Sequence, residues 1–291
     1  MIAIYKRELR AYFTSMQAYI YLALFVGFTG VYFAILNIAN GYNDFSSYVL
    51  SNFSYMIFAY AISVPILTMR MFSEEKKHKT DQLLLTAPVS VWEIVLGKFL
   101  ACATVFFAGM LIISVFPVII ALNGSIPVAN TVSGYIGMIL FAMCIISIGT
   151  LISSLTEEPV IAVIVTAVAT LFILFFKMLV SLLPNGVIPT FLFFGLVVIA
   201  LAVLFYIDTR KPQIAAIVML LGGGLVTGLY FWQKEWFVYG LINSLNWLSI
   251  ETRYEEFLNG IVNLSSVVYL LTVTAVCLFL TTRVIEKRRW K

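Results

Sequence analysis

The residues able to do chemistry in this 291-residue chain are few and gathered in one place. Between positions 70 and 99 stand Arg70, Glu74, Glu75, Lys76, Lys77, His78, Lys79, Asp81, Glu93 and Lys98. Carboxylates beside a histidine could bind a metal, but His/Cys metal sites need several such ligands. His78 is the single histidine and sits in a run of lysines, where it reads as a solvated side chain. Cys102, Cys144 and Cys277 fall inside apolar segments, so no disulfide framework is expected. An intramembrane protease would hold its acids or metal within a span, whereas Glu74 and Glu75 lead into a charge run. No GxxxxGK(S/T) pattern occurs; Gly97-Lys98 lacks both the upstream glycine and the following hydroxyl, so no phosphate-cradling loop is expected. Ion-coupled transport places an ionisable residue near mid-membrane. Lys177 comes nearest, about eighteen residues or ~27 Å into its segment. That is the edge of a ~30 Å core, where a lysine snorkels to the interface. The residues therefore give no catalytic, cofactor or metal site on this chain, and no visible energy source.

The elements that must position this charged stretch are apolar. Hydrophobic residues make up 62% of the sequence and charged residues 11%, with a mean hydropathy of +1.02. A soluble domain needs far more polar surface. Continuously apolar runs of helical length exclude a barrel, whose strands would alternate with period two. The expected fold is all-α, a polytopic transmembrane helical bundle of about eight spans. These fall near 19–36, 53–72, 94–122, 132–155, 160–182, 188–207, 214–232 and 264–282. Pro117 is expected to kink or shorten the third. In the seventh, Gly222-Gly223-Gly224 with Gly228 suggests a close helix contact.

Ahead of the first span, residues 1–18 read as an amphipathic helix. Ile2, Tyr5, Leu9, Tyr12, Phe13 and Met16 share one face at 100° per residue, with Lys6, Arg7 and Arg10 outside it. Such a helix is expected to lie in the cytoplasmic interface and turn into the membrane. Basic residues set the orientation. With the N-terminus inside, fifteen of the eighteen Lys and Arg lie inside, leaving Lys177, Lys234 and Arg253 for the outer half. Both termini are therefore expected in the cytoplasm. The net charge of +4 is this bias and suggests no nucleic-acid binding. Residues 233–263, rich in aromatics and charges including Trp236, Trp247, Tyr254 and Phe257, are expected outside, as helices at the headgroup level.

Within the charged stretch, Thr80 can cap a short helix over 80–86, which Pro88 ends. Ser90 and Glu93 then form a capping box that starts the next span. Leu83, Leu84 and Leu85 in a row cannot all face the membrane, so one projects toward a partner. The run from Glu74-Glu75 through Thr80-Asp81-Gln82-Leu83-Leu84-Leu85, Pro88-Val89-Ser90 and Glu93-Ile94-Val95-Leu96-Gly97-Lys98 resembles the region between the second and third spans of ABC-2 type transporter permeases. It departs at Asp81-Gln82, where a Gly-Thr-x-Glu pattern is common. The C-terminal run Tyr254, Phe257, Gly260-Ile261, Leu264, Val268-Tyr269, Arg283, Glu286 and Arg288-Arg289-Trp290 looks like the gliding-motility (Gld-type) branch.

The resemblance implies one permease domain over 1–291: an elbow helix at 1–18 carrying Tyr5, Leu9, Tyr12 and Phe13, a cytoplasmic coupling segment at 73–93, and an extracytoplasmic segment at 233–263. In the family the coupling segment docks on a separate ATP-binding subunit. Glu74, Glu75, Thr80, Asp81, Gln82, Leu83, Leu84 and Leu85 are the expected contacts. Two ATPase copies bind ATP and Mg, and a second permease or a Gld-type auxiliary membrane subunit completes the complex in the bacterial cytoplasmic membrane. The implied function is export driven by ATP hydrolysis. Two alternatives stay open: a non-transporting assembly that remodels or moves an extracytoplasmic partner, and a secondary transporter.

Overall fold

A computed structural model describes residues 1–80, 89–210, 212–232 and 234–289. Among these residues every regular element is helical and there are no strands. Among the described residues seven helical stretches are long and apolar enough to cross a membrane, running Met16–Ala39, Phe53–Lys77, Val91–Leu122, Val128–Leu155, Pro159–Ser181, Val187–Leu204 and Leu264–Arg288. At the expected seventh span a shorter apolar stretch, Ala216–Phe231, stands instead. The chain is an all-α polytopic membrane protein.

The N-terminal helix α1 (Ile2–Thr14) ends at Ser15, whose extended backbone turns the chain into α2 (Met16–Phe33). The first two spans carry π-helical turns at Ala34–Ala39 and Ile57–Ile62. The second span is thereby broken into α3 (Phe53–Met56), that turn, and α4 (Ser63–Thr68). The charged connection begins with α5 (Ser73–Lys77). The third span is α6 (Val91–Ile113) followed by α7 (Val115–Asn123). The break has a local cause. Pro117 has no N–H to give the carbonyl four residues back, that of Ile113, and the Tyr135 hydroxyl donates to that carbonyl at 3.0 Å instead. A backbone acceptor in an apolar environment needs such a replacement. The helices that follow are α8 (Val128–Leu155), α9 (Pro159–Ser181), α10 (Val187–Thr209), α11 (Pro212–Trp232), α12 (Lys234–Leu248), α13 (Ile250–Leu258) and α14 (Leu264–Arg289).

The chain divides into two compact units. The first comprises Met1–Leu174 with Arg253–Lys291. In it α14 lies along α8, α1 packs on α6, and α4 packs on α2 and α8. Small residues set the approach: the Thr68 side chain fills the space that a Cβ at Gly149 would take. At one end of this unit the basic side chains converge. Lys77 meets Glu158 at 2.7 Å, Arg288 meets Glu157 at 3.2 Å, and Lys98 meets Glu8 and Glu75. The N-terminal helix and the last turns of α14 thus share that end of the unit. At the opposite end of α8, Tyr254, Phe257 and Leu258 of α13 are buried. Tyr254 and Phe257 were expected among interfacial aromatics; they plug the bundle instead, because Gly137 leaves room for the Phe257 ring and Ser133 binds the Phe257 carbonyl at 2.7 Å. Trp247 and Tyr239 remain exposed.

The second unit comprises Phe175–Thr252, with α10 packed on α11 and α12. Its α10–α11 connection closes at Arg210, in the left-handed conformation (φ 52°), whose N–H returns to the Tyr206 carbonyl at 2.8 Å. Of the expected glycine contact, Gly222 backs onto Val198, while Gly223, Gly224 and Gly228 face open space. Gly240 against Thr190, which accepts the Leu241 N–H at 3.3 Å, brings α12 onto α10.

Candidate functional site: a junction around the charged segment

The site is built where α5 meets three other elements. The last carbonyls of α4 lack intrahelical partners, and the N-terminal helix and the start of α2 supply them. The Tyr12 hydroxyl donates to the Leu67 carbonyl at 3.0 Å. Gln17 donates to the carbonyls of Ile66 and Leu67 at 2.6 and 3.1 Å. The chain then turns at Phe72 into α5, whose first N–H groups are equally in need of partners. Ser153, near the end of α8, accepts from Phe72 N at 3.1 Å and Ser73 N at 3.3 Å and donates to the Met69 carbonyl at 3.1 Å. One hydroxyl thereby serves the end of one helix and the start of the next.

Successive side chains of α5 point about 100° apart, so Glu75 faces away from Lys77. Lys76, itself buried, donates to the Ser154 carbonyl. It thereby places a cation on the C-terminal carbonyls of α8, where the helix dipole favours one. Lys77 pairs with Glu158 in the following turn. Glu75 turns the other way, into the chain. One of its oxygens lies 2.9 Å from Lys98 Nζ and 3.1 Å from Arg7, and Glu8 Oε1 lies 3.2 Å from Lys98 and 2.6 Å from Arg7. Two carboxylates from α1 and α5 thus share two cations from α1 and α6. Lys98 is 2% exposed and sits over the Phe72 ring at 5.3 Å from its centroid. Removing one partner of such a buried pair costs about 3–5 kcal/mol, because the other charge is left desolvated. Arg70 pairs more loosely with Glu74, at 3.9 Å on the exposed side, and a cavity of about 180 Å³ lies between these residues and Glu8, Tyr12 and Gln17.

The start of the third span takes part as well. Ser90 accepts the Glu93 N–H at 3.3 Å, and Glu93 accepts the Ser90 N–H at 3.2 Å, forming the expected capping box. One helical turn on, Gly97 lets Ile4 of α1 approach: a Cβ there would stand 3.1 Å from the Ile4 side chain. Ile4 and Glu8 are four residues apart and lie one above the other on α1, matching Gly97 and Lys98 on α6. Farther along α6, the Tyr5 hydroxyl lies 3.0 Å from that of Thr104.

Several expectations change here. The N-terminal helix docks through Ile4, Tyr5, Glu8 and Tyr12, with Leu9 half-buried, while Ile2 (71% exposed), Phe13 and, at the start of α2, Met16 (79% exposed) lie outside. The six-residue apolar face therefore splits between protein and surroundings. Glu75, expected to face a partner, is committed within the chain; Glu74 stays exposed on its side chain. Thr80 turns its hydroxyl back to the Glu75 carbonyl at 3.3 Å. Asp81, Gln82, Leu83, Leu84 and Leu85, together with the rest of the helix expected over 80–86 and its stop at Pro88, lie outside the described residues. Ile4, Glu8 and Ser153 were not singled out from the sequence. The one signal for Glu8 was its i,i+4 spacing between Ile4 and Tyr12; a lone serine near the end of a span carries none.

Comparison with known proteins is consistent with this layout. No curated protein and no solved structure matches the chain. The sequence model of the family described as "ABC-2 family transporter protein" matches residues 29–283, from the middle of the first span to the last turns of α14; it takes in the α5, α6 and α8 parts of the junction and leaves out α1. With that match covering most of its length, the chain belongs to the ABC-2 family of transporter membrane proteins.

Proposed function

We propose that the chain is the permease of a bacterial ATP-driven exporter, moved by a separate ATP-binding subunit that docks on the segment 73–93. Family membership provides the coarser part: a multi-pass membrane subunit of an ABC transporter, which works with an ATP-binding partner. The docking reading rests above all on the wiring of α5. This five-residue helix is too short to be stable alone, yet side chains from α1, α6 and α8 hold it on two faces. A stroke delivered to residues 81–88 would meet a fixed base. The convergence of basic residues at this end of the first unit supports placing it in the cytoplasm, with both termini there and residues 233–263 outside. Two ATPase copies and two membrane subunits form the complex, in the bacterial cytoplasmic membrane. The Gld-type resemblance of the C-terminal run favours a second, different membrane subunit.

The apolar anchor should carry most of the docking affinity, since a fully buried leucine is worth ~1.5–3 kcal/mol and rim charges such as Glu74 and Asp81 mainly set association rate and register. The test is the double substitution Leu83→Asp with Leu84→Asp. The expected outcome is a permease that inserts and folds but loses its ATPase on purification. An ATPase that copurifies as before and still responds to the permease refutes this docking site.

A further inference from the structure

We infer that Lys98 is a positioning residue that passes the movement of α5 to the N-terminal helix, an inference resting on the docking reading above. The geometry gives α5 two separate connections. On one face, Lys76 and Lys77 hold it to the end of α8 and the turn after it. On the other, Glu75 reaches α1 and α6 through the four-charge cluster. Within that cluster the two cations differ. The Arg7 side chain is 53% exposed and lies on α1 itself, so its bonds to Glu75 are open to competition from water and salt. Lys98 is buried, belongs to α6, and bridges a carboxylate of α5 and a carboxylate of α1 with one ammonium group. A compact cation holding two acids from two elements makes their spacing insensitive to solvent. If α5 moves, the Glu8 carboxylate must follow or the ammonium must abandon a buried partner. The second oxygen of Glu75, Oε2, is buried without a hydrogen-bond partner among the described residues. Glu75 thus depends on its Oε1 contacts, and little else holds its side chain to α1.

The consequence is that α1 is a driven element as well as an anchor in the interface. Its outward residues Ile2 and Phe13 then sweep against the lipid headgroups when α5 is displaced.

The experiment uses the full complex with its ATPase, spin-labelled in pairs. One label sits at Asn259, exposed at the far end of the first unit, and the other at either Lys79 or Arg10, both exposed. Distances are compared between nucleotide-free and vanadate-trapped states. In the parent complex both the Lys79 and the Arg10 distances are expected to shift. In Lys98→Met the Lys79 shift should persist, through the Lys76 and Lys77 connections, and the Arg10 shift should be lost. Because Lys98→Met leaves two carboxylates facing one arginine, Lys98→Met with Glu8→Gln serves as the folded control. It restores charge balance and keeps Arg7 with Glu75, and it too should lose the Arg10 shift. An Arg10 shift that survives in Lys98→Met, or that returns in the double variant, overturns the inference, as does a parent complex in which Arg10 never moves. Loss of the ATPase from Lys98→Met on purification also overturns it, by placing Lys98 in docking. Failure of the docking reading itself is read separately, from ATPase retention in the Leu83→Asp, Leu84→Asp variant.

Discussion

The seat of α13 on the bundle can be tested through one missing methyl group. A Cβ at Gly137 would lie 2.4 Å from the Phe257 Cβ and 2.8 Å from its Cγ, well inside van der Waals contact. Phe257 cannot slide aside freely: its carbonyl accepts from Ser133, one turn earlier on α8, at 2.7 Å. Tyr254, one turn earlier on α13, stacks on Phe141 at a centroid distance of 4.9 Å. Gly137→Ala therefore forces a backbone shift between α8 and α13, and overpacking of this kind costs about 1–3 kcal/mol. The first unit has the size at which each kcal/mol moves Tm by about 2–4 °C, so the expected loss is ~2–12 °C. Phe257→Gly alone removes a fully buried ring together with the Cβ that stands 2.4 Å from the Gly137 site, and should cost at least the ~3–5 kcal/mol of a Phe→Ala change. It also empties the space the new methyl needs, so Gly137→Ala in that background should be neutral to within ~0.5 kcal/mol. The assay is thermal unfolding of the purified protein in one detergent, followed by size exclusion, across the four members of the cycle. Equal losses from Gly137→Ala with and without Phe257, or no loss in either, refute the reasoning.

Sidedness is checked by cysteine labelling of intact cells. A cysteine at the exposed Asn259 should react with an impermeant reagent and one at Lys79 should not; the reverse pattern refutes the orientation. At the break in the third span, Tyr135→Phe removes the donor to the Ile113 carbonyl and should cost about 1–3 kcal/mol, the usual penalty for an orphaned buried acceptor. With Pro117→Ala the residue at 117 regains an N–H for that carbonyl, and Tyr135→Phe should then cost almost nothing. An unchanged cost means the hydroxyl is not the replacement donor.

Seven of the eight expected spans, the helical class and the capping box at Ser90 and Glu93 were legible in the sequence because each is local. Twenty apolar residues exclude water wherever they occur, and Ser90 lies three positions from Glu93. The coupling stretch was legible as a motif for the same reason: order and spacing survive in one dimension. What each motif residue does was decided only by the fold. Glu75 read as a contact for a partner, because a carboxylate in a lysine run appears solvated until something is known to lie behind it. Lys98 and Glu8, ninety residues apart, lie behind it in space. Tyr254 and Phe257 read as interfacial aromatics, because their amphipathic surroundings suit a headgroup layer. Gly137, one hundred and twenty residues earlier, supplies the missing side chain that lets Phe257 enter the bundle. Hydrophobic length is a property of a segment and can be counted along the chain. Ion pairing and close packing are properties of pairs, and only the folded chain chooses the pairs.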